Sequence, residues 1–377
     1  MNQILLAFLF LLVFFGLLFY VFFRLWQMVP VEKPVLIGAT VVLVSSVFLG
    51  FTGGYFLPSP IANFLYYFGM TVLFVTLYLF LIFVVFDVLR LVFPAQVQQI
   101  LVGNWKTFAI LAVALTAFFT YAHLNYRNVV RKEVTITIDK EISPLRIVAI
   151  SDLHLGYGVS SAKLDRWITL INAANPDIVV MVGDIVDNPT SFRPIKNRDV
   201  AAHLRKINAR YGVFAALGNH EYIAGLYRSL AFLKDAGITV LRDTAILIND
   251  EFYLIGRDDL YNPKRKMIAE LLENLDTTKP LILLDHQPFR LNEAEKNGID
   301  LQISGHTHRG QMWPATWIAE KIFENAHGHS QRGNTHFFVT SGIGIWGGKF
   351  RLGTQSEYVV IELNGTRYEV AGYEEVT

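Results

Sequence analysis

Of 377 residues 53% are hydrophobic, and 33 basic and 32 acidic side chains nearly cancel to a net charge of +1. Residues 1–126 carry six of those charges, Arg24, Glu32, Lys33, Asp87, Arg90 and Lys106, and the other 59 lie beyond. This distribution excludes both a wholly soluble chain and a transporter-like chain that is apolar to its end; it predicts a membrane region followed by a soluble one.

The first 126 residues resolve into four apolar stretches, 4–23, 35–57, 61–86 and 107–124. At about 1.5 Å rise per residue each approaches or exceeds the ~30 Å hydrocarbon thickness. Pro58, Ser59 and Pro60 break the second from the third, and Tyr20, Trp26, Trp105, Tyr121 and Tyr126 stand near the ends, where amphipathic rings favour the headgroup zone. The first stretch has no basic flank before it and reads as a retained helix, not a cleaved signal. Asp87 and Arg90, three residues apart at the end of the third stretch, read as an interfacial ion pair. With no other charge inside a span, the region reads as a four-helix transmembrane anchor over 1–126. The first span has positive charge only on its C-terminal flank, which favours an outside N-terminus and an extracytoplasmic soluble domain.

Residues 127–142 read as a linker with an alternating edge strand at 134–138, and 143–377 as one α/β domain. Leu145–Ile150 is a short apolar run that ends at Ser151, Asp152, Leu153 and His154. A helical period follows over 162–173, with Leu164, Trp167, Ile168 and Ile171 on one face. Ile178–Val182 runs into Gly183 and Asp184, a helix is expected over 200–209, and the strand 213–217 ends at Gly218, Asn219, His220 and Glu221. Leu281–Leu284 leads into Asp285 and His286, and Leu301–Ser304 into Gly305, His306, Thr307 and His308. Strands are also expected at 336–340, 358–363 and 367–373, the last two joined by a type I′ turn at Asn364-Gly365.

In open α/β sheets, ligand sites gather at the carboxyl ends of strands. Any one of these polar blocks alone is an ordinary turn, cap or surface pair. Five in series, each after a strand, assemble Asp152, His154, Asp184, Asn219, His286, His306 and His308: two carboxylates, an amide and four imidazoles. The chain has no cysteine, which removes thiolate ligands and nucleophiles. Mixed nitrogen and oxygen donors suit manganese, iron or zinc better than calcium. Beyond residue 126 the net charge is about −1, so the basic field that nucleic-acid binding needs is absent.

The blocks Asp152-Leu153-His154, Gly183-Asp184-Ile185-Val186-Asp187, Gly218-Asn219-His220-Glu221, His286-Gln287-Pro288 and Gly305-His306-Thr307-His308 resemble the signature of the calcineurin-like metallophosphoesterase superfamily. Gly310-Gln311, Ser341-Gly342-Ile343-Gly344 and Arg351-Leu352-Gly353 resemble its membrane-bound or exported bacterial branch, although Arg309 stands where that branch often has glycine. The resemblance implies a β-sandwich flanked by helices and two divalent metal ions, one held by Asp152, His154 and His308 and the other by Asn219, His286 and His306. Asp184 would bridge them, together with an attacking hydroxide, and His220 would protonate the leaving oxygen. Asp187 and Glu221 are expected to orient ligands, or else to act as helix caps or surface charges. Arg351 either grips a phosphate or is a surface arginine.

The expected function is a membrane-anchored phosphoesterase acting on a phosphate ester or pyrophosphate of a lipid, for which an acylated sugar nucleotide is one family-suggested possibility. Its partners would be the bilayer and that substrate. Met312, Trp313, Trp317, Ile318, Ile322 and Phe323 follow closely on His308. They read either as a helix packed on the core or as an apolar cap that contacts lipid. Three alternatives are a silent phosphoesterase-like binding or regulatory protein, a broad-specificity soluble phosphodiesterase, and a channel or transporter with an appended sensor domain.

Overall fold

A computed structural model describes residues 3–29 and 31–366. The chain divides into two compact units: Met1–His123 with Gly347–Lys349, and Leu124–Trp346 with Phe350–Thr377.

The first unit is helical. Three helices, Lys33–Tyr55, Ser59–Arg90 and Trp105–Arg127, are long and apolar enough to cross a membrane. The first helix, Gln3–Met28, contributes a shorter apolar length over Phe14–Met28. Pro34, Pro60 and Pro94 sit in the first turns of their helices, where a missing N–H costs nothing. Helices Lys33–Thr52 and Ser59–Arg90 approach closely because Gly69 has no side chain: a Cβ there would strike the Ser46 carbonyl. Asp87 does not pair with Arg90 as expected. It accepts from Arg24 and, at 2.5 Å, from the Tyr20 hydroxyl, both on the first helix. The third helix continues to Arg90, so Asp87 faces a neighbouring helix instead of ending its own. A short helix, Pro94–Leu101, was not foreseen.

The second unit contains twelve strands among the described residues: β1 (Val129–Ile138), β2 (Leu145–Ile150), β3 (Ile178–Val182), β4 (Val213–Ala216), β5 (Thr239–Val240), β6 (Thr244–Ile248), β7 (Phe252–Gly256), β8 (Leu281–Leu284), β9 (Leu301–Ser304), β10 (Gly328–Arg332), β11 (Thr335–Val339) and β12 (Ser356–Gly365). They form two six-stranded mixed sheets, β1-β12-β2-β3-β4-β5 and β10-β11-β9-β8-β7-β6. The period of two decides what each strand face does. On β2, Ile147 and Ala149 enter a core shared with Leu254, Ile282, Leu284, Ile303 and Phe338 of the other sheet. Val148 and Ile150 face the opposite way, onto Leu164, Trp167 and Ile171 of helix Ser161–Ala173. Outside the second sheet, Leu281 and Leu283 pack on Ile268, Leu271 and Leu291. The result is a two-sheet sandwich with helices on both outer faces.

β1 is an edge strand, as its alternation implied, but begins at Val129 and pairs in parallel with β12. The helix expected over 200–209 stops at Leu204. Asn364 and Gly365 do not form a hairpin turn; they pair with Thr137 and Ile138 and extend β12. Gly365 serves close packing there, since a Cβ would overlap the Lys140 carbonyl. The strand expected at 367–373 lies outside the described residues.

Candidate metal centre

β2, β3 and β4 run parallel in one sheet, and β8 and β9 run parallel in the other. Five strands therefore release the chain at their carboxyl ends, and the polar blocks begin there. β2 delivers Asp152 and His154, β3 delivers Asp184, β4 delivers Asn219 and His220, β8 delivers His286, and β9 delivers His306 and His308. The turns are abrupt. Asp152, His154, Asp184, His306 and His308 all have φ between +44° and +68°. That left-handed region costs a non-glycine residue of order 1 kcal/mol, which the surrounding packing must supply. Glycine permits the close approach of two loops: a Cβ on Gly218 would overlap Asp184 Oδ1, and one on Gly305 would lie 2.7 Å from Asp152 Oδ2.

The side chains converge. His154 Nε2 is 3.3 Å from His308 Nε2, and Asp152 Oδ1 is 3.4 Å from His308 Nε2 and 3.9 Å from His154 Nε2. Asp184 Oδ2 stands between two imidazoles, 3.2 Å from His286 Nε2 and 3.9 Å from His154 Nε2. Donor atoms ~2.0–2.2 Å from one tetrahedral cation lie roughly 3.3–3.6 Å apart. Two of these separations, 3.3 and 3.4 Å at His308 Nε2, fall in that range, as donors around one cation would. Asp152, His154 and His308 form one possible ligand group, and Asp184, His286 and His306 another. A third group joins His154, Asp184 and His220, so Asp184 is common to two of the three.

The donor atoms satisfy a further test. Buried atoms lacking a hydrogen-bond partner include Asp152 Oδ1, Asn219 Oδ1 and His286 Nε2. Buried polar atoms are normally paired, and a cation is the partner this donor set fits. His286 donates Nδ1–H to the Val182 carbonyl at 2.7 Å, which leaves Nε2 as its free nitrogen. His220 differs. Its Nδ1 contacts the Asp187 carbonyl, which can only accept, so Nδ1 carries a proton and Nε2 is the remaining nitrogen. Its own backbone N–H donates to Asp184 Oδ1 at 2.9 Å.

Electrostatics separates the imidazoles. Burial, reinforced by His286, pushes His306 down to about 4. Burial and His154 hold His308 well below the usual histidine range, so both rings are neutral donors at pH 7. Burial also opposes charge on His286, but Asp184 outweighs it and raises that imidazole well above the ordinary value. The converse holds at Asp184, where His286 and its neighbours outweigh burial and keep the carboxylate ionised.

A model for calcineurin-like phosphoesterases matches residues 145–310. An uncharacterized metallophosphoesterase of Campylobacter jejuni is 34% identical over 274 residues, 69% of this chain and 70% of that one. The chain belongs to the calcineurin-like metallophosphoesterases. An uncharacterized metallophosphoesterase of Aquifex aeolicus is 35% identical over 65% of this chain and 95% of its own. A zebrafish (Danio rerio) transmembrane protein with metallophosphoesterase domain is 33% identical over 61% of this chain and 56% of its own. The protein is therefore a metallophosphoesterase-family member with membrane-spanning helices.

The flanking residues fall in distinct places. Asp187 Oδ1 lies 3.3 Å from His154 Nδ1 and 3.8 Å from His220 Nδ1, beside both rings. Glu221 is fully buried; its carboxylate accepts from the backbone N–H groups of Gly218, Asp184, Ile185 and Val186 at 2.7–3.0 Å. Burial, with Asp184 adding to it, raises that carboxyl to about 7. Arg351 is not a surface residue. It is wholly buried, and its guanidinium donates to the carbonyls of His308, Ser341, Gly342 and Gly344 and to the Thr354 hydroxyl. An arginine in a glycine-rich loop meets many bare carbonyls, and here they engage both terminal nitrogens, while Nε has no partner among the described residues. Trp313 and Trp317 are exposed. Ser151, whose hydroxyl donates to Asp152 Oδ2, was missed; its position before Asp152 was visible, but nothing in the sequence marked a serine there as more than a strand end.

Proposed function

We propose that this protein is a dinuclear metal-dependent phosphoric ester hydrolase, with manganese, iron or zinc as its metals and a phosphate ester or pyrophosphate of a lipid as substrate. The observation that carries the reading is Asp184, whose Oδ2 stands between His154 Nε2 and His286 Nε2. Asp152, His154 and His308 would hold one cation, Asn219, His286 and His306 the other, and Asp184 both. When bound, two such cations neutralise phosphoryl oxygens and lower the pKa of water to about 7. The chain's own residues do the rest. Asp187 lies beside His154 and supports its orientation. His220, fixed by the Asp187 carbonyl through Nδ1–H, turns Nε2 to the leaving oxygen; with a second proton on Nε2 it gives that proton to the leaving oxygen and returns to the neutral ring. Glu221 and Arg351 hold the loops that carry these groups and touch no substrate.

Membrane anchoring supports the lipid part of the reading, because an enzyme tied to a bilayer meets lipids at high local concentration. The catalytic domain would face away from the cytoplasm of a bacterial cell, on the charge pattern of the first span. Full-length protein treated with a chelator should lose hydrolysis of a simple phosphodiester, and added manganese should restore it. Undiminished activity after complete removal of metal would end the proposal.

A further inference from the structure

Helix Ala315–Ile322 carries its large apolar side chains outward. Thr316 and Ala319 are its buried residues, whereas Trp317, Ile318 and Ile322 are 58%, 46% and 62% exposed, and Trp313, just ahead of the helix, is 55% exposed. Ile318 and Ile322 lie one turn apart, with Trp317 beside them, so the three share one side of the helix. A helix packed on its own core turns that stripe inward. Single exposed apolar residues are ordinary, but a contiguous set marks a contact surface.

The segment is fixed at both ends to the metal centre. Two residues past His308, Gly310 packs so closely on helix Ala315–Ile322 that a Cβ would overlap the Ala315 carbonyl. At the other end the Phe323 ring lies 6.2 Å from that of His306 and 4.9 Å from that of Phe289. The charges suit a phosphate-bearing surface. The acidic residue on the helix, Glu320, is paired with Arg309 at 3.1 Å, while Lys321 has no ion-pair partner among the described residues. Only Asn128 separates the membrane-length helix ending at Arg127 from β1, so the domain is tethered to any bilayer that helix crosses.

We propose that Trp313, Trp317, Ile318 and Ile322 seat this segment in the headgroup zone of a lipid bilayer, so that the loop carrying His306 and His308 works against the lipid surface. Tryptophan favours that zone, and a helix with one apolar face lies in its plane. The inference deepens the lipid-phosphate reading of the site and rests on it for its purpose.

The chain has no cysteine, so Ile318→Cys and Ile322→Cys give single labelling sites, both exposed and outside the core. Full-length protein with a nitroxide at either position is reconstituted in vesicles of phosphatidylcholine and phosphatidylglycerol. Collision with oxygen is compared with collision with a water-soluble nickel chelate, using Tyr227→Cys, at a site 87% exposed, as the aqueous reference. Labels at 318 and 322 should favour oxygen, and the label at 227 nickel. The same ratio at all three sites would overturn the proposal. So would shielding from both reagents at 318 and 322, which would assign the face to a second copy of the chain. Separately, Trp313→Ala and Trp317→Ala should each raise KM for a long-chain phosphate ester in vesicles roughly tenfold and leave KM for bis(p-nitrophenyl) phosphate unchanged. Lipid-embedded labels with no change in either KM would keep the docking and remove the lipid substrate. Aqueous labels with the lipid-specific KM effect would do the reverse.

Discussion

At Glu221 one carboxylate accepts four backbone N–H groups, from Gly218, Asp184, Ile185 and Val186, and so ties the loop after β3 to the loop after β4. Glu221→Gln keeps the shape but presents an NH2 group to two of those donors, leaving them unpaired in the interior. The expected cost is about 2–4 kcal/mol, read as a fall in Tm with a weaker hold on metal; an unchanged Tm would deny the clamp. His220 makes a different prediction. Because its Nδ1 is engaged by the Asp187 carbonyl and its proposed role is proton transfer, His220→Ala should slow turnover about 10²–10⁴-fold with the metal content kept. Loss of both metals in that variant would make His220 a ligand, which its proximity to His154 and Asp184 leaves physically possible. The convergence of the Asp, His and Asn blocks was legible because these residue types can bind metal and each block follows an apolar run. Glu221 was harder to read, since its partners are backbone amides that leave no trace in residue type. The burial of Arg351 was not legible, because the same glycine-rich loop accommodates an arginine pointing inward or outward.

Strands β2, β3, β4, β8 and β9 were legible from short apolar runs, and the helix from Ser161 from its 3.6-residue period. The pairing of two sheets was not, because strands buried on both faces do not reveal which face meets which layer. The weakly patterned β5, β6 and β10 escaped for the opposite reason: each is short or partly exposed. The β9 end shows how tightly an element constrains the site. Gly305→Ala would place a methyl 2.5 Å from Ser151 Oγ and 2.7 Å from Asp152 Oδ2. The loop after β9 must then retreat, and with it His306 and His308. Metal affinity should fall at least tenfold, measured by titration with manganese; wild-type affinity would mean that the loops are more compliant than their spacing implies.

Over the whole molecule, composition separated a membrane region from a soluble one, because six charges in 126 residues admit little else. The partner of Asp87 was not legible: Arg90 is near in sequence, but Arg24 is near in space across two helices. With the domain outside, protease added to intact cells or spheroplasts should digest it; protection until lysis would place it in the cytoplasm. The central claim is that two cations share Asp184. Its most direct test is metal analysis and turnover on the same preparations of full-length wild-type and Asp184→Asn protein. The account predicts two divalent ions per wild-type chain, fewer in the variant, and a rate lower by about 10³-fold or more. A variant that turns over at the wild-type rate, or a wild-type chain that is active without metal, would contradict it.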